Sequence, residues 1–388
     1  MENKVIISSK FKNIAFGLMG IGIIALIVGF IDNPQRTWAN YLLNSYYFLS
    51  LAIGASFFLA IQYITQSGWS AMFRRVPEAI GSFVPVGVIL LSLVLIFGAH
   101  SIYHWSHAEE VAKDEILQKK AVYLNIPFMI VRYVIFVGLW VFMVVLLRKF
   151  SLQEDIHGGS EYFKKSEFYS KVFIFILAFS FTLGTIDWIM SINAHWFSTL
   201  FSVKNFVSAF YHGSATIVLV VIILNKFGYF PQLSKYHMHD FSKYIFMLSI
   251  MYGYMWYAQY MLIWYANIPE ETVYYTKLVQ GGWLLPFYLD IIINWAFPFS
   301  FLLLNKIAKN KNALLFTVSL LFIGQWLDLY LQIMPGSTNV NSFGYIEIGT
   351  YLGFLGIFAF VVTRSLSKAA LIPQNHPYLK ESMAHKTH

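Results

Sequence analysis

The chain contains no cysteine in 388 residues. That excludes a thiolate metal site, a cysteine-held iron–sulfur cluster and a covalently attached c-type haem. Charge is scarce as well: 12% of residues are Asp, Glu, Lys or Arg, about half the share of a soluble domain. No glycine-rich phosphate loop followed by Lys and Ser/Thr occurs, so a nucleotide-driven pump is not expected. A b-type haem within a helical bundle needs two histidines at matching depth, and of the eleven histidines only His212 falls well inside an apolar run. With no metal or haem centre expected, electrons would enter or leave through an organic carrier or through partner subunits.

What the chain has in abundance is apolar surface. Hydrophobic residues make up 58% and the mean hydropathy is +0.59. Apolar runs long enough to cross a bilayer as helices recur at 11–31, 42–65, 81–99, 125–149, 169–190, 203–226, 242–266, 283–305, 313–332 and 347–366, each about 20 residues. Little sequence remains outside them, so 1–388 reads as one all-α polytopic membrane domain with about ten transmembrane helices. The first run follows a polar start, "MENKVIISSKFKN", and lacks a cleavage signature, so it reads as a retained helix.

Basic residues orient the spans. Loops on the N-terminal side carry 20 Lys and Arg, counting the start, Arg74 and Arg75, and the tail. Opposite loops carry six: Arg36, Lys113, Lys119, Lys120, Lys204 and Lys277. Both termini are therefore expected in the cytoplasm. The net charge of +8 follows from this bias and carries no implication of nucleic-acid binding.

Polar groups inside such a chain are informative because charge in hydrocarbon is costly and usually faces the bundle interior. The stretch "DWIMSINAHWFSTLF" places Asp187 at the outer end of the fifth span and His195 in the turn after it. Asp290 lies about two turns into the eighth span at ~1.5 Å per residue; Asp328 is near the outer end of the ninth, between Gln325 and Gln332. Arg132 is about two turns into the fourth span, and His212 lies deeper in the sixth beside Ser208 and Ser214. These residues are candidates for a proton path. Against that, Asp187 and Asp328 can simply cap helices, and His212 can simply bond across helices. Arg132 and Asp290 are too deep for an interfacial explanation. Trp188, Trp196, Trp256, Trp264 and Trp283 read as an aromatic belt. His100, His104 and His107 have helical spacing but no acidic or cysteine motif beside them, so they are not read as a metal site. The loop "HSIYHWSHAEEVAKDEILQKK" suits a surface helix, either solvated or docking a partner.

The pair "DWIMSINAHWFSTLF" and "SAFYHGSATIVLV", on a ten-span chain without cysteine, resembles the NrfD/PsrC-type integral membrane family, and within it the ActF subunit of bacterial alternative complex III. The resemblance covers essentially the whole chain. It implies two four-helix bundles, spans 2–5 (about 42–190) and 6–9 (about 203–332), with the first and last spans peripheral. It also implies membership of a quinol:electron-acceptor (cytochrome c) oxidoreductase in the bacterial cytoplasmic membrane. Expected partners are membrane lipids, a paralogous quinol-binding membrane subunit, multihaem c-type and iron–sulfur subunits, and an associated terminal oxidase.

One departure narrows the role. The quinol-oxidising paralogue is expected to have a histidine at the end of its third span and an aspartate on its fourth, a base and a carboxylate suited to two quinol protons. Here His100 takes the first place, but the fourth span carries Arg132, which cannot accept a proton. His100 and Arg132 are thus a quinone-site remnant, and any quinone is expected to bind weakly without turnover. The leading expectation is a non-redox subunit with a proton path and an anchoring role. A secondary transporter and a pure scaffold are the alternatives. Pro85, Pro127, Pro286 and Pro298 are scattered near span ends, unlike the mid-membrane breaks common in transporters.

Overall fold

In hydrocarbon every backbone N–H and C=O must be satisfied within the protein, and a helix satisfies them within its own segment. Each long apolar run accordingly forms one. The computed structural model describes residues 4–338 and 340–385; the extreme ends, whose cytoplasmic side the charge count predicts, lie outside the described residues. Helix makes up 82%, with no strand among the described residues. Among the described residues the ten long helices are α1 (Ser9–Asp32), α2 (Pro34–Ile64), α3 (Arg75–Ile102), α4 (Ile126–His157), α5 (Glu161–Trp188), α6 (Thr199–Lys226), α7 (Lys235–Ala266), α8 (Gly281–Leu302), α9 (Lys311–Ser337) and α10 (Tyr345–Ser367).

Polar caps set several boundaries. Ser8, Asn33, Asn125 and Asn310 each accept a backbone N–H of the helix they precede, and Pro follows Asn33 directly, as expected of N-caps and first-turn proline. Asn267 closes α7 in the left-handed conformation at φ 49°.

Nine of these helices are long and apolar enough to cross a membrane, by length and composition, among the described residues. The exception is α7. Its 32 residues reach about 48 Å at ~1.5 Å each, so length is not what sets it apart. Seven tyrosines and two tryptophans lower its hydropathy.

Packing is centred on α2 and α6, the two most buried of the nine. Glycine lets them meet: a Cβ on Gly54 would lie 1.9 Å from the Ala209 carbonyl oxygen, and one on Gly213 would lie 2.7 Å from the Ala55 nitrogen. Around this crossing α2 also touches α3, α5, α9 and α10, while α6 touches α5, α7 and α9. Helix α1 packs mainly along α10 and exposes Ile23, Ile24 and Ile27. Two helices contain a wider π turn, 94–98 in α3 and 292–296 in α8.

The loops gather at two ends. One face holds residues 103–125, 189–198 and 267–280. The other holds 65–74, 158–160, 227–234 and 303–310. On this second face Arg74 bonds Glu154 at 3.0 Å, Arg75 bonds Glu78 at 2.8 Å, and Arg148 and Asp155 close the group by pairing with Glu78 and Arg75. The C-terminal segment crosses this cluster. Asn375 donates to the Asp155 carbonyl at 2.8 Å, Ser382 donates to the Trp69 carbonyl at 2.8 Å, and His237 Nε2 bonds the Ser382 carbonyl at 3.1 Å.

Candidate functional site

Four helices contribute to one buried polar chain. On α6, Lys204, Ser208 and His212 recur every four residues and so share one helix face. On α8, Asp290 and Asn294 stand four apart, and the π turn at Ile292–Ala296 contains Asn294. An extra residue per turn re-aims the side chains it carries, and such turns often mark functional positions. Asp328 comes from α9 and Tyr252 from α7. None of these seven side chains belongs to a residue more than 6% exposed.

Their bonds run without a gap. Lys204 Nζ donates to Asp328 Oδ1 at 2.5 Å, and the Ser208 hydroxyl donates to Asp328 Oδ2 at 3.2 Å. Ser208 Oγ lies 3.3 Å from His212 Nδ1, which is also 2.8 Å from the Ser208 carbonyl oxygen. His212 Nε2 is 2.9 Å from Asn294 Oδ1. Asn294 Nδ2 donates to Asp290 Oδ1 at 2.7 Å and to the Gly324 carbonyl at 2.9 Å. The Tyr252 hydroxyl donates to Asp290 Oδ2 at 3.4 Å. The close seat of Asn294 requires glycine at 324, where a Cβ would fall 2.1 Å from Asn294 Oδ1. One turn past Asp328, Gln332 is buried and neither end of its amide bonds to protein.

A second ion pair sits between α4 and α5. Arg132 Nε donates to Asp187 Oδ2 at 2.7 Å and Nη2 donates to Oδ1 at 3.0 Å. This is the two-toothed geometry that guanidinium and carboxylate favour. The guanidinium carbon lies 3.9 Å from the Tyr123 ring centre and 4.2 Å from that of Phe128. Aromatic faces thus cover the part of the charge that the carboxylate leaves bare.

The remaining two candidates are at the surface. His195 Nε2 pairs with Asp114 Oδ2 at 2.5 Å, with the imidazole more than half exposed. The Leu117 N–H and then His195 hold the Asp114 carboxyl below the usual carboxylate range. His100 Nδ1 meets Ser106 Oγ at 3.0 Å and lines an open cleft of about 590 Å³ with Asp32, Gln35, His104, His107 and Glu110.

The expected residues therefore fall into separate groups. Asp290, Asp328 and His212 join one chain, and Arg132 and Asp187 form one pair. His195 bonds Asp114 instead of Asp187, and no hydrogen bond links His100 to Arg132 among the described residues. The charge count treats Lys204 as an outer-loop residue; it is in fact buried within α6 against Asp328. Sequence reading also passes over Asn294, Tyr252 and Gly324. The four-residue spacing of Lys204, Ser208 and His212 is a signal that could have found the lysine.

No family model matches the chain, and no curated protein matches it.

Proposed function

We propose that this chain is a non-redox membrane subunit of a quinol:electron-acceptor oxidoreductase of the alternative complex III type, and that its α6–α9 half carries protons. The supporting observation is the unbroken run of buried side chains from Lys204 through Asp328, Ser208, His212 and Asn294 to Asp290. A buried polar chain is expensive in hydrocarbon and is normally tied to ion or proton movement. The orphaned amide of Gln332 suits continuation of the run through water toward the 103–125 face, because a buried amide needs partners.

In this reading all ten helices span the bacterial cytoplasmic membrane with both ends in the cytoplasm. α2–α5 and α6–α9 act as two four-helix bundles, and α1 and α10 are peripheral. The 103–125 face then lies outside and docks the multihaem and iron–sulfur subunits. Asp187 serves as a tie between α4 and α5, since both its oxygens are engaged by Arg132. That engagement, with His100 on Ser106, leaves His100 without the fourth-helix acid that a quinol-oxidising pair would need. A quinone here would bind weakly and without turnover.

The test is purification of the tagged chain from its native membrane in mild detergent, followed by a haem stain and subunit identification. Co-purifying multihaem and iron–sulfur subunits support the assignment. A chain that purifies alone and moves a solute in vesicles would mean a secondary transporter instead.

A further inference from the structure

Hydrogen-bond bookkeeping around Asn294 restricts the protonation states of its neighbours. Its Nδ2 faces two acceptors, the Asp290 carboxyl and the Gly324 carbonyl, so its oxygen must face His212 Nε2. An amide oxygen only accepts, so Nε2 carries a hydrogen. The other ring nitrogen points at the Ser208 carbonyl, which also only accepts, so Nδ1 carries a hydrogen too. The Ser208 hydroxyl has one hydrogen and lies 3.2 Å from the Asp328 carboxylate and 3.3 Å from Nδ1; the charged acceptor is the stronger of the two, so Nδ1 keeps its own hydrogen for the Ser208 carbonyl. With a hydrogen on both nitrogens His212 is an imidazolium, and the enclosed charge balances when Asp290 is a carboxylate. Counting Lys204 and Asp328, the enclosed charges cancel, as burial requires.

A second arrangement balances equally well. With the Asn294 amide turned by half a turn, its NH2 faces a neutral His212 Nε2 and its oxygen accepts from a protonated Asp290. Lys204 and Asp328 again cancel. Resting on the proton-path reading above, we propose that Asn294 is the relay between His212 and Asp290, a two-position amide whose turn accompanies transfer of one proton. The N–H bond at His212 Nε2 breaks and an O–H bond forms at Asp290. The amide oxygen takes the His212 proton as its nitrogen gives one to Asp290, leaving an imidic acid; as the group turns, that O–H bond breaks and its proton re-forms the second N–H bond, so the amide ends with the atoms it began with. No electrons are exchanged. The Gly324 carbonyl then faces the amide oxygen, a repulsive contact that returns the amide once Asp290 gives up its proton. Tyr252, 5.7 Å from the His212 ring centre and bonded to Asp290, bounds the pair on the α7 side. The π turn and Gly324 supply the close approach that this exchange needs.

The test uses the full chain in lipid bilayers with ¹⁵N-labelled histidine, the His212 signal assigned by its loss in His212→Gln. Infrared spectroscopy reads the protonation of Asp290, assigned with Asp290→Asn. The wild type should show hydrogens on both His212 nitrogens together with an ionised Asp290, and Asp290→Asn should leave His212 with one. A neutral His212 beside an ionised Asp290, or an imidazolium persisting in Asp290→Asn, overturns the relay. Proton movement in vesicles of the assembled complex separates the two levels of the account. Loss on the order of a hundredfold in Asn294→Leu, the scale of a positioned proton-transfer group, supports the relay. Loss in Asp290→Asn but not in Asn294→Leu removes the relay and keeps the path, whereas no loss in either removes the path. The spectroscopic comparison needs no Asn294 variant, so it stands even where that variant fails to assemble.

Discussion

Lys204 and Asp328 form an ion pair at 2.5 Å with their side chains 7% and 2% exposed, one on α6 and the other on α9. Removing one member of such a pair strands a buried charge, which typically costs about 3–5 kcal/mol. Lys204→Met should lower thermal stability in detergent by roughly that amount or force Asp328 to take up a proton. The double change Lys204→Met with Asp328→Leu should recover most of the loss. Equal stability of the single variant and the wild type would mean that the pair is not held as described.

Asp187→Asn tests the tie between α4 and α5. It leaves the Arg132 guanidinium against the Tyr123 and Phe128 rings without its anion, and the expected cost is again about 3–5 kcal/mol. Protein that does assemble should move protons like the wild type. A variant of normal stability with lost proton movement would return Asp187 to the path.

Gly324→Ala is the smallest perturbation of the site. The added methyl would collide with Asn294 Oδ1 and with Ile293 Cγ2, 2.8 Å away. Overpacking of this kind costs about 1–3 kcal/mol. Proton movement should fall along with stability, because the Asn294 contacts to His212 and Asp290 both open. The check is thermal unfolding beside vesicle proton uptake; unchanged uptake would show that Asn294 has room to spare.

The C-terminal segment should loosen in acid. His376 is packed against Phe163 and Tyr378, and burial, with the Arg74 charge behind it, lowers its pKa to about 3. Its ordinary value is about 6.5. Between those values the unfolded segment binds the extra proton, so stability rises with pH across that window. The contribution is complete above about 6.5 and is lost as pH falls toward 3, at roughly 1.4 kcal/mol per pH unit. Limited proteolysis at Lys380 should accelerate from pH 7 to pH 5, and His376→Phe should flatten much of that rise. A rate independent of pH in the wild type would contradict the burial of a neutral imidazole.

Much of this architecture was legible in the chain because hydropathy and helix length are local properties. The ten apolar runs mark ten helices, and only α7 departs in composition, through its tyrosines. Boundaries moved outward where polar caps such as Asn33 and Asn310 extend a helix beyond its apolar stretch. The site was harder to read. Asp290, Asp328 and His212 stand out as ionisable groups in oily surroundings, but which charge meets which depends on helix rotation. That is why Arg132 could be noticed without Asp187 being seen as its partner. Lys204 was misplaced because a lysine near a span end is counted as a loop charge, although four-residue spacing aims it inward with Ser208 and His212. Asn294 is uncharged and carries no compositional signal. Its importance comes from a π turn and from a glycine on another helix.

Under the proposed function, the most direct measurement is the number of protons moved per electron by the proposed complex, purified into sealed vesicles and driven with quinol, comparing wild type with Asp290→Asn. The substitution keeps shape and hydrogen-bonding capacity but cannot carry a proton. With haem content and assembly intact, the account predicts a lower ratio in Asp290→Asn and an unchanged ratio in Asp187→Asn. An unchanged ratio in Asp290→Asn would contradict it and leave the buried chain of α6–α9 with a structural role alone.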